Sequence, residues 1–127
     1  MNSKHLQICI AIKRIYIHSS IYKEFLAELV EATKALVVGD GFKENVFLGP
    51  IQNAMQYERV KGFLDDVKKQ NQTVAIGGTP HDSSGKGYFI KPTIVDNPPD
   101  SSRIVVEEPF GRCPYLNLLA WMTAYRT

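Results

Sequence analysis

The sequence predicts an α/β domain in which a mostly parallel sheet is flanked by two amphipathic helices. Two long segments carry apolar residues at the three- and four-residue spacing of a helix, and short segments rich in β-branched residues lie before and after them. The 127 residues fit one domain, and 44% apolar with 22% charged residues is typical of a globular protein. A strand, two helices and a second strand in that order make a layered α/β arrangement the expected fold.

The first strand and helix are predicted from the segment that begins at Arg14. Arg14–His18 is rich in β-branched and aromatic residues, which favours a buried strand. Ser19 and Ser20 follow, and a serine hydroxyl can accept a hydrogen bond from the first helical turn, so we expect the N-cap there. An amphipathic helix should run from Ile21 and end at Gly39–Gly41, because glycine tolerates the left-handed conformation that closes a helix.

The second helix is bounded by clear signals at both ends. Leu48–Ile51 contains a proline and predicts a turn or an extended connector. Asn53 is a suitable N-cap, and Lys68 and Lys69 would complement the helix dipole at the other end. Thr73–Ile76 then predicts a short strand.

The second half of the chain is more irregular. Gly77–Gly87 predicts a surface hairpin or crossover loop, and its Gly-Lys-Gly lacks the spacing and the following Ser or Thr of a P-loop. Tyr88–Val95 predicts a strand at an edge or a bend, because Pro92 interrupts it. Ser101 and Ser102 could cap a single helical turn, and the apolar Ile104–Val106 then predicts a strand that leads into two glutamates.

Composition excludes several classes of protein. A formal charge of +2, with lysine and arginine scattered, shows no surface for nucleic acid. Apolar runs are too short for a membrane span or a signal peptide, so we expect no membrane association and a reducing, cytoplasmic location. Two distant cysteines make neither a zinc knuckle nor a disulfide framework, and the three histidines have no ligand spacing, so we expect no metal site.

Two short stretches could carry chemistry. Cys9 lies inside the apolar run Leu6–Arg14, where a free cysteine is either a small buried hydrophobe or a nucleophile. Glu107 and Glu108 precede Pro-Phe-Gly, and neighbouring residues on an extended backbone point to opposite faces. One glutamate could therefore face a cleft, or both could belong to the solvated end of a strand.

Read together, these stretches resemble the aldehyde dehydrogenase family. Gln7-Ile8-Cys9, followed by Ala11 and Arg14, is similar to the Gly-Gln-x-Cys segment of that family's nucleophile, and Glu107–Gly111 is similar to its Glu-Glu-x-Phe-Gly-Pro segment. Further matches in the same order are Gly39-Asp40-Gly41, Gly49-Pro50-Ile51 and Gly87 to Thr93. The resemblance covers about residues 6–111, and residues 112–127 form a divergent tail. It implies that residues 1–127 are a single truncated catalytic domain of this family.

The resemblance also implies roles for three residues. Cys9 would attack an aldehyde to give a thiohemiacetal, hydride would pass to NAD or NADP, and water would cleave the resulting thioester to the acid. The backbone N–H of Cys9 would form half of the oxyanion hole. Glu108 would accept hydrogen bonds from a cofactor ribose, Phe110 would pack against the nicotinamide side of the nucleotide, and Glu107 would face away.

The same family pattern places other parts of the machinery before the cysteine. These parts are the general-base glutamate, the asparagine of the oxyanion hole and the dinucleotide-binding fold, whereas eight residues precede Cys9 here. The implied fold is a partial three-layer catalytic domain without a complete Rossmann cofactor domain. We therefore expect the isolated chain to bind no NAD or NADP and to be inactive. The alternative is a catalytically silent α/β module that pairs its exposed sheet edges with itself or with full-length subunits.

Overall fold

A computed structural model describes residues 12–79, 87–109 and 119–125 of the chain. The elements in chain order are β1 Arg14–His18, α1 Tyr22–Lys34, α2 Ala54–Lys69, β2 Thr73–Ile76, β3 Thr93–Asp96, α3 Arg103–Val106 and β4 Leu119–Tyr125. Both amphipathic helices are therefore present, as are the strands predicted at Arg14–His18 and Thr73–Ile76 and part of the strand predicted at Tyr88–Val95.

The four strands form one sheet in the order β1-β4-β3-β2. β4 runs parallel to both of its neighbours, and β2 is antiparallel to β3, so the prediction of a mostly parallel sheet is confirmed. The register places Trp121 of β4 between Arg14 of β1 and Val95 of β3. The tail of the chain thus contributes a strand to the interior of the sheet.

The two long helices cover opposite faces of this sheet. Successive side chains of a strand point to opposite faces, and in β3 Val95 belongs to the cluster around α2, whereas Ile94 packs with Ile17 of β1 in the cluster beneath α1. The α1 residues that pack on this second cluster are Tyr22, Leu26 and Leu29. Helix, sheet and helix are therefore stacked in three layers, as expected.

The main core lies between α2 and the sheet. The buried face of α2 repeats at helical spacing and consists of Val60, Phe63, Leu64 and Val67. It packs against Ile51, Ile90, Val95, Ile104 and Val105. Burial of each large apolar side chain contributes about 1.5–3 kcal/mol to folding, so this cluster fixes α3 and the chain that leaves it against α2.

The predicted helix boundaries are correct for α2 and wrong for α1. The Oδ1 of Asn53 accepts a hydrogen bond from the Gln56 backbone N–H at 2.9 Å, which confirms the N-cap. In α1 the N-cap is Ile21, without a side-chain cap, because the Ser20 hydroxyl instead pairs with the ring of His18 at 2.7 Å. The helix also ends at Lys34, well before the glycines.

A tertiary contact explains the early end of α1. Beyond Lys34 the chain becomes extended, and Val38 forms a parallel bridge with Leu48. The Gly39 N–H donates to the Leu48 carbonyl at 2.9 Å, and the Leu48 N–H donates to the Val37 carbonyl at 3.0 Å. The apolar residues after α1 therefore form hydrogen bonds with the backbone near Leu48 instead of continuing the helix.

Two predictions for residues 88–106 also need correction. The strand predicted for Tyr88–Val95 is confined to Thr93–Asp96, because the proline before it cannot join the ladder. The strand predicted for Ile104–Val106 is wrong, since these residues belong to the helical turn α3. Ser102 is its N-cap residue, but its hydroxyl donates to the Pro99 carbonyl at 2.7 Å instead of capping the turn. Most of the predicted loop at 77–87 lies outside the described residues.

A hydrogen bond between α1 and β3 should make stability depend on alkaline pH. The Tyr22 hydroxyl donates to the Asp96 carboxylate, and burial, this bond and the carboxylate charge raise the pKa of Tyr22 above its ordinary value. Because the folded-state pKa is raised, the stabilisation is complete below about pH 10 and is lost as the pH rises further. Tyr22→Phe should therefore be less stable than the native chain near pH 8, and the deficit should shrink towards pH 11, as measured by urea unfolding. Tyr16→Phe, which keeps the bond to Asp96, is the control, and a Tyr22→Phe deficit that does not change with pH would contradict the assignment.

Candidate active site

The backbone that leaves α3 is bound by side chains from distant parts of the chain. The four bonds are Arg14 Nη2 to the Val105 carbonyl (2.5 Å), Lys13 Nζ to the Glu107 carbonyl (2.8 Å), Arg59 Nη2 to the Glu108 carbonyl (3.1 Å) and Gln56 Nε2 to the Pro109 carbonyl (2.7 Å). We call the four donor residues, Lys13, Arg14, Gln56 and Arg59, the carbonyl clamp. Two of them lie at the start of β1 and two in the first turns of α2.

The clamp satisfies backbone groups that regular structure leaves without partners. The last carbonyls of any helix lack an intrahelical donor, and α3 is only four residues long. Glu107 then adopts an extended conformation outside the four-stranded sheet. Cationic donors suit this position because the carboxyl end of a helix carries partial negative charge.

The Glu107 carboxylate is directed toward helix residues. Its oxygens lie 3.1 Å from Arg103 Nε and 3.6 Å from Arg59 Nη2. Arg103 also contacts Asp66 at 2.9 Å, and its guanidinium lies 4.2 Å from the centre of the Phe63 ring. The Asp66 hydrogen bond is the largest of the influences that raise the pKa of Arg103. This carboxylate is therefore part of a structural ion-pair network.

Glu108 differs from its neighbour, because its side chain is exposed. Its charge acts on Lys13: burial and the charge of Arg14 lower the pKa of the Lys13 ammonium, and the Glu108 carboxylate opposes that shift. Two cations and one exposed carboxylate therefore lie close together where the start of β1 meets the segment after α3. The backbone beneath Glu108 is fixed while its carboxylate remains accessible to a ligand.

The three site residues predicted from sequence have different outcomes. Cys9 and Phe110 lie outside the described residues, and Glu108 is placed as above. The contact of Lys13 with the Glu107 carbonyl brings the segment that follows Cys9 against the glutamate segment, 94 residues away in the chain. The predicted roles of Cys9, Glu108 and Phe110 remain predictions.

Sequence reasoning missed the carbonyl clamp and the Arg103 network. The pair of cations at the end of the first apolar run is visible in the sequence, but its partners are carbonyls, which leave no mark in a sequence. Gln56 and Arg59 lie three residues apart on α2 and thus share a face, which is the one local signal that could have indicated a joint role.

A concavity of about 490 Å³ lies between the end of α1 and the chain that follows β2. Its charged lining residues are Lys34 and Lys91, both exposed, and Lys34 is paired with Glu31 at 2.6 Å. It shares no residue with the carbonyl clamp. The concavity and the carbonyl clamp are therefore separate features of the described residues.

Comparison with known proteins identifies the family. The profile of the Aldehyde dehydrogenase family matches residues 4–117, which is most of the chain. The chain belongs to the aldehyde dehydrogenase family. The resemblance noted in the sequence is thereby confirmed.

Relatives within this family share between a quarter and a half of the aligned residues. A probable aldehyde dehydrogenase from a Pseudomonas species is 43% identical over 113 residues, and the chloroplastic betaine aldehyde dehydrogenase of Beta vulgaris is 39% identical over 105 residues. These alignments cover 89% and 83% of this chain but 22% and 21% of the relatives. The chain thus spans about a fifth of the length of the curated relatives it matches.

Solved structures of aldehyde dehydrogenases contain the same fold. The NAD⁺ complex of an aldehyde dehydrogenase from Bacillus cereus superposes with a TM-score of 0.84 at 30% identity, covering 97% of this chain and 23% of that one. The NAD⁺ complex of betaine aldehyde dehydrogenase from Staphylococcus aureus gives 0.83 at 28% identity, covering 95% and 23%. The described α/β layers are therefore a partial aldehyde dehydrogenase domain, as predicted.

The described ranges, 12–79, 87–109 and 119–125, contain neither a cluster of metal ligands nor a helix that could span a membrane. In that part of this aldehyde dehydrogenase chain, no three His, Cys, Asp or Glu side chains are grouped closely enough to ligate a metal ion. No helix there has the length and apolar character needed to cross a bilayer.

The Arg103 network should be sensitive to the shape of the cation. Arg103→Lys keeps the charge but loses the planar fork that reaches Asp66 and Glu107 together while stacking on Phe63. We expect the free energy of unfolding, measured in urea, to fall by about 1 kcal/mol. Lys61→Met, which removes an exposed pair with Glu58 on α2, is the matched control and should change little. Equal effects of the two substitutions would contradict a special role of Arg103.

Proposed function

We propose that these residues supply the nucleophile and a cofactor-ribose ligand to an NAD(P)-dependent aldehyde dehydrogenase, which oxidises an aldehyde to a carboxylic acid. The observation that supports this most directly is the Lys13 bond to the Glu107 carbonyl, in a chain that belongs to the family. It joins the segment after Cys9 to the segment that carries Glu108. A nucleophile and a cofactor ligand must be close together for hydride transfer.

Cys9 is the proposed nucleophile. Its thiolate attacks the carbonyl carbon of the aldehyde, and the carbonyl oxygen becomes the oxyanion of a thiohemiacetal, stabilised in part by the Cys9 backbone N–H. A bound nicotinamide cofactor supplies the acceptor for the hydride that leaves this carbon. Water then cleaves the Cys9 thioester, which releases the acid and regenerates the thiol.

Glu108 is the proposed ligand of the cofactor ribose. An ionised carboxylate accepts hydrogen bonds through both oxygens, which suits two neighbouring ribose hydroxyls. The exposure of Glu108 and the clamp on its own carbonyl by Arg59 support this role. Phe110 contributes apolar contact on the nicotinamide side of the nucleotide. The cofactor is NAD or NADP, and two structural relatives were solved as NAD⁺ complexes.

The isolated 127-residue chain is proposed to be inactive and to bind neither NAD nor NADP on its own. The chain corresponds to about a fifth of the length of the relatives named above, and in the family pattern the general base and the dinucleotide-binding fold belong to the remainder. We also propose a cytoplasmic location, although relatives include proteins named as chloroplastic and mitochondrial.

The proposal is tested by the reactivity of Cys9. In a Cys113→Ser background, alkylation of Cys9 by iodoacetamide followed against pH should give an apparent pKa below the ordinary thiol value of about 8.5, because the proposed nucleophile must be a thiolate near neutral pH. Cys9→Ser should abolish labelling and serves as the control for site. An apparent pKa of about 8.5 or above would argue against an activated nucleophile. Steady-state reduction of NAD or NADP with aldehyde by the isolated chain would contradict its proposed inactivity.

A second candidate function is a catalytically silent module that associates through sheet edges. In the sheet formed by the described residues, β1 and β2 are the two outermost strands. Exposed strand edges favour pairing with a second chain. Tyr16 of β1 is 62% exposed, and a second chain that joined this strand could cover its aromatic ring.

The mass of the chain in solution tests the second candidate. Light scattering after size exclusion should show dimers or larger species that dissociate on dilution. Tyr16→Lys places a charge on the edge strand and should weaken the association, whereas Lys23→Met on α1 should leave it unchanged. A monomer at every concentration would exclude self-association.

A further inference from the structure

We propose that Arg14 is a positioning residue that fixes the backbone of the glutamate segment relative to β1. The inference rests on the proposed function, since Glu108 is the group whose position is controlled. It assigns a role to a side chain that lies five positions after Cys9 and contacts the far end of the chain. The bond concerned joins Arg14 Nη2 to the Val105 carbonyl across 91 residues of sequence.

The location of Arg14 makes it suitable as a fixed point. It is the first residue of β1, and its backbone is in register with Trp121 of β4. A displacement of Arg14 would therefore disturb a strand pairing in the sheet. A side chain that extends from such a position can set where its acceptor lies.

The acceptor is equally well placed to transmit that constraint. Val105 lies in the second half of α3, with a side chain only 7% exposed in the core against α2. Its carbonyl lies at the end of the turn, where intrahelical donors are missing. Glu107 and Glu108 follow directly, so the direction of this carbonyl sets the direction in which the glutamate segment leaves the helix.

The remaining donors of the carbonyl clamp limit the effect of losing Arg14. Gln56 and Arg59 bind the Pro109 and Glu108 carbonyls from α2, independently of β1. Loss of Arg14 alone should therefore loosen the end of α3 without unfolding the α2 core. This local character distinguishes a positioning role from a general contribution to stability.

Amide hydrogen exchange measured by mass spectrometry on the full chain tests the proposal. The informative amides are those of Val105, Val106 and Glu107, which donate to carbonyls within or just before α3. Arg14→Met keeps the length of the side chain but removes its donors, and should raise exchange at these amides about tenfold, the effect of losing one hydrogen bond to a charged group. Amides of residues 60–67 in α2 should exchange as in the native chain.

Two further variants serve as a partial rescue and as a control. Arg14→Lys should restore part of the protection, because an ammonium can still donate to the carbonyl, whereas Lys68→Met, at the exposed end of α2, should have no effect. Unchanged exchange in Arg14→Met, or an equal rise in residues 60–67, would overturn the proposal. The result is independent of the pKa of Cys9, so a failure here leaves the proposed nucleophile untouched, and an ordinary Cys9 pKa leaves the positioning role standing.

Discussion

Backbone carbonyls that lie beyond the end of a helix and outside a sheet still require hydrogen-bond donors. Side chains provide these donors to the carbonyls of Val105, Glu107, Glu108 and Pro109. The donors come from two elements, the start of β1 and the first turns of α2, that lie far apart in the sequence. The arrangement therefore ties the beginning of the described chain to a segment near its end. An apolar core alone could not do this, because dispersion contacts have little directionality.

The two adjacent glutamates have different surroundings. Arg59 contacts both the carboxylate of Glu107 and the carbonyl of Glu108, and Arg103 adds a second cation to Glu107. Glu107 is thus used internally, and its partners define the face of the segment that is turned toward α2. Glu108 is exposed, as expected where neighbouring residues of an extended backbone point to opposite sides.

Local signals predicted most of the secondary structure, and long-range contacts account for part of what the sequence did not indicate. The cap at Asn53 and the terminal lysines of α2 act within a few residues, so its bounds follow from the sequence. The end of α1 depends on the bridge from Val38 to Leu48, and the clamp depends on carbonyls up to 94 residues away, so neither leaves a periodic pattern. The role proposed for Cys9 rests on resemblance to a family, because an isolated cysteine in an apolar run has no local feature that separates a nucleophile from a core residue.

The strand order has a consequence for the route by which the chain folds. β4 lies between β1 and β3, yet it is the last of the described strands in the sequence. Until residues 119–125 are available, the strand that joins β1 to β3 is missing, and among the described strands β2 and β3 are the pair that can form. Closure of the sheet is therefore a long-range, late event of the kind that slows folding and leaves strand edges exposed in the meantime. A variant shortened before residue 119 would expose the edges of β1 and β3 that β4 covers in this sheet.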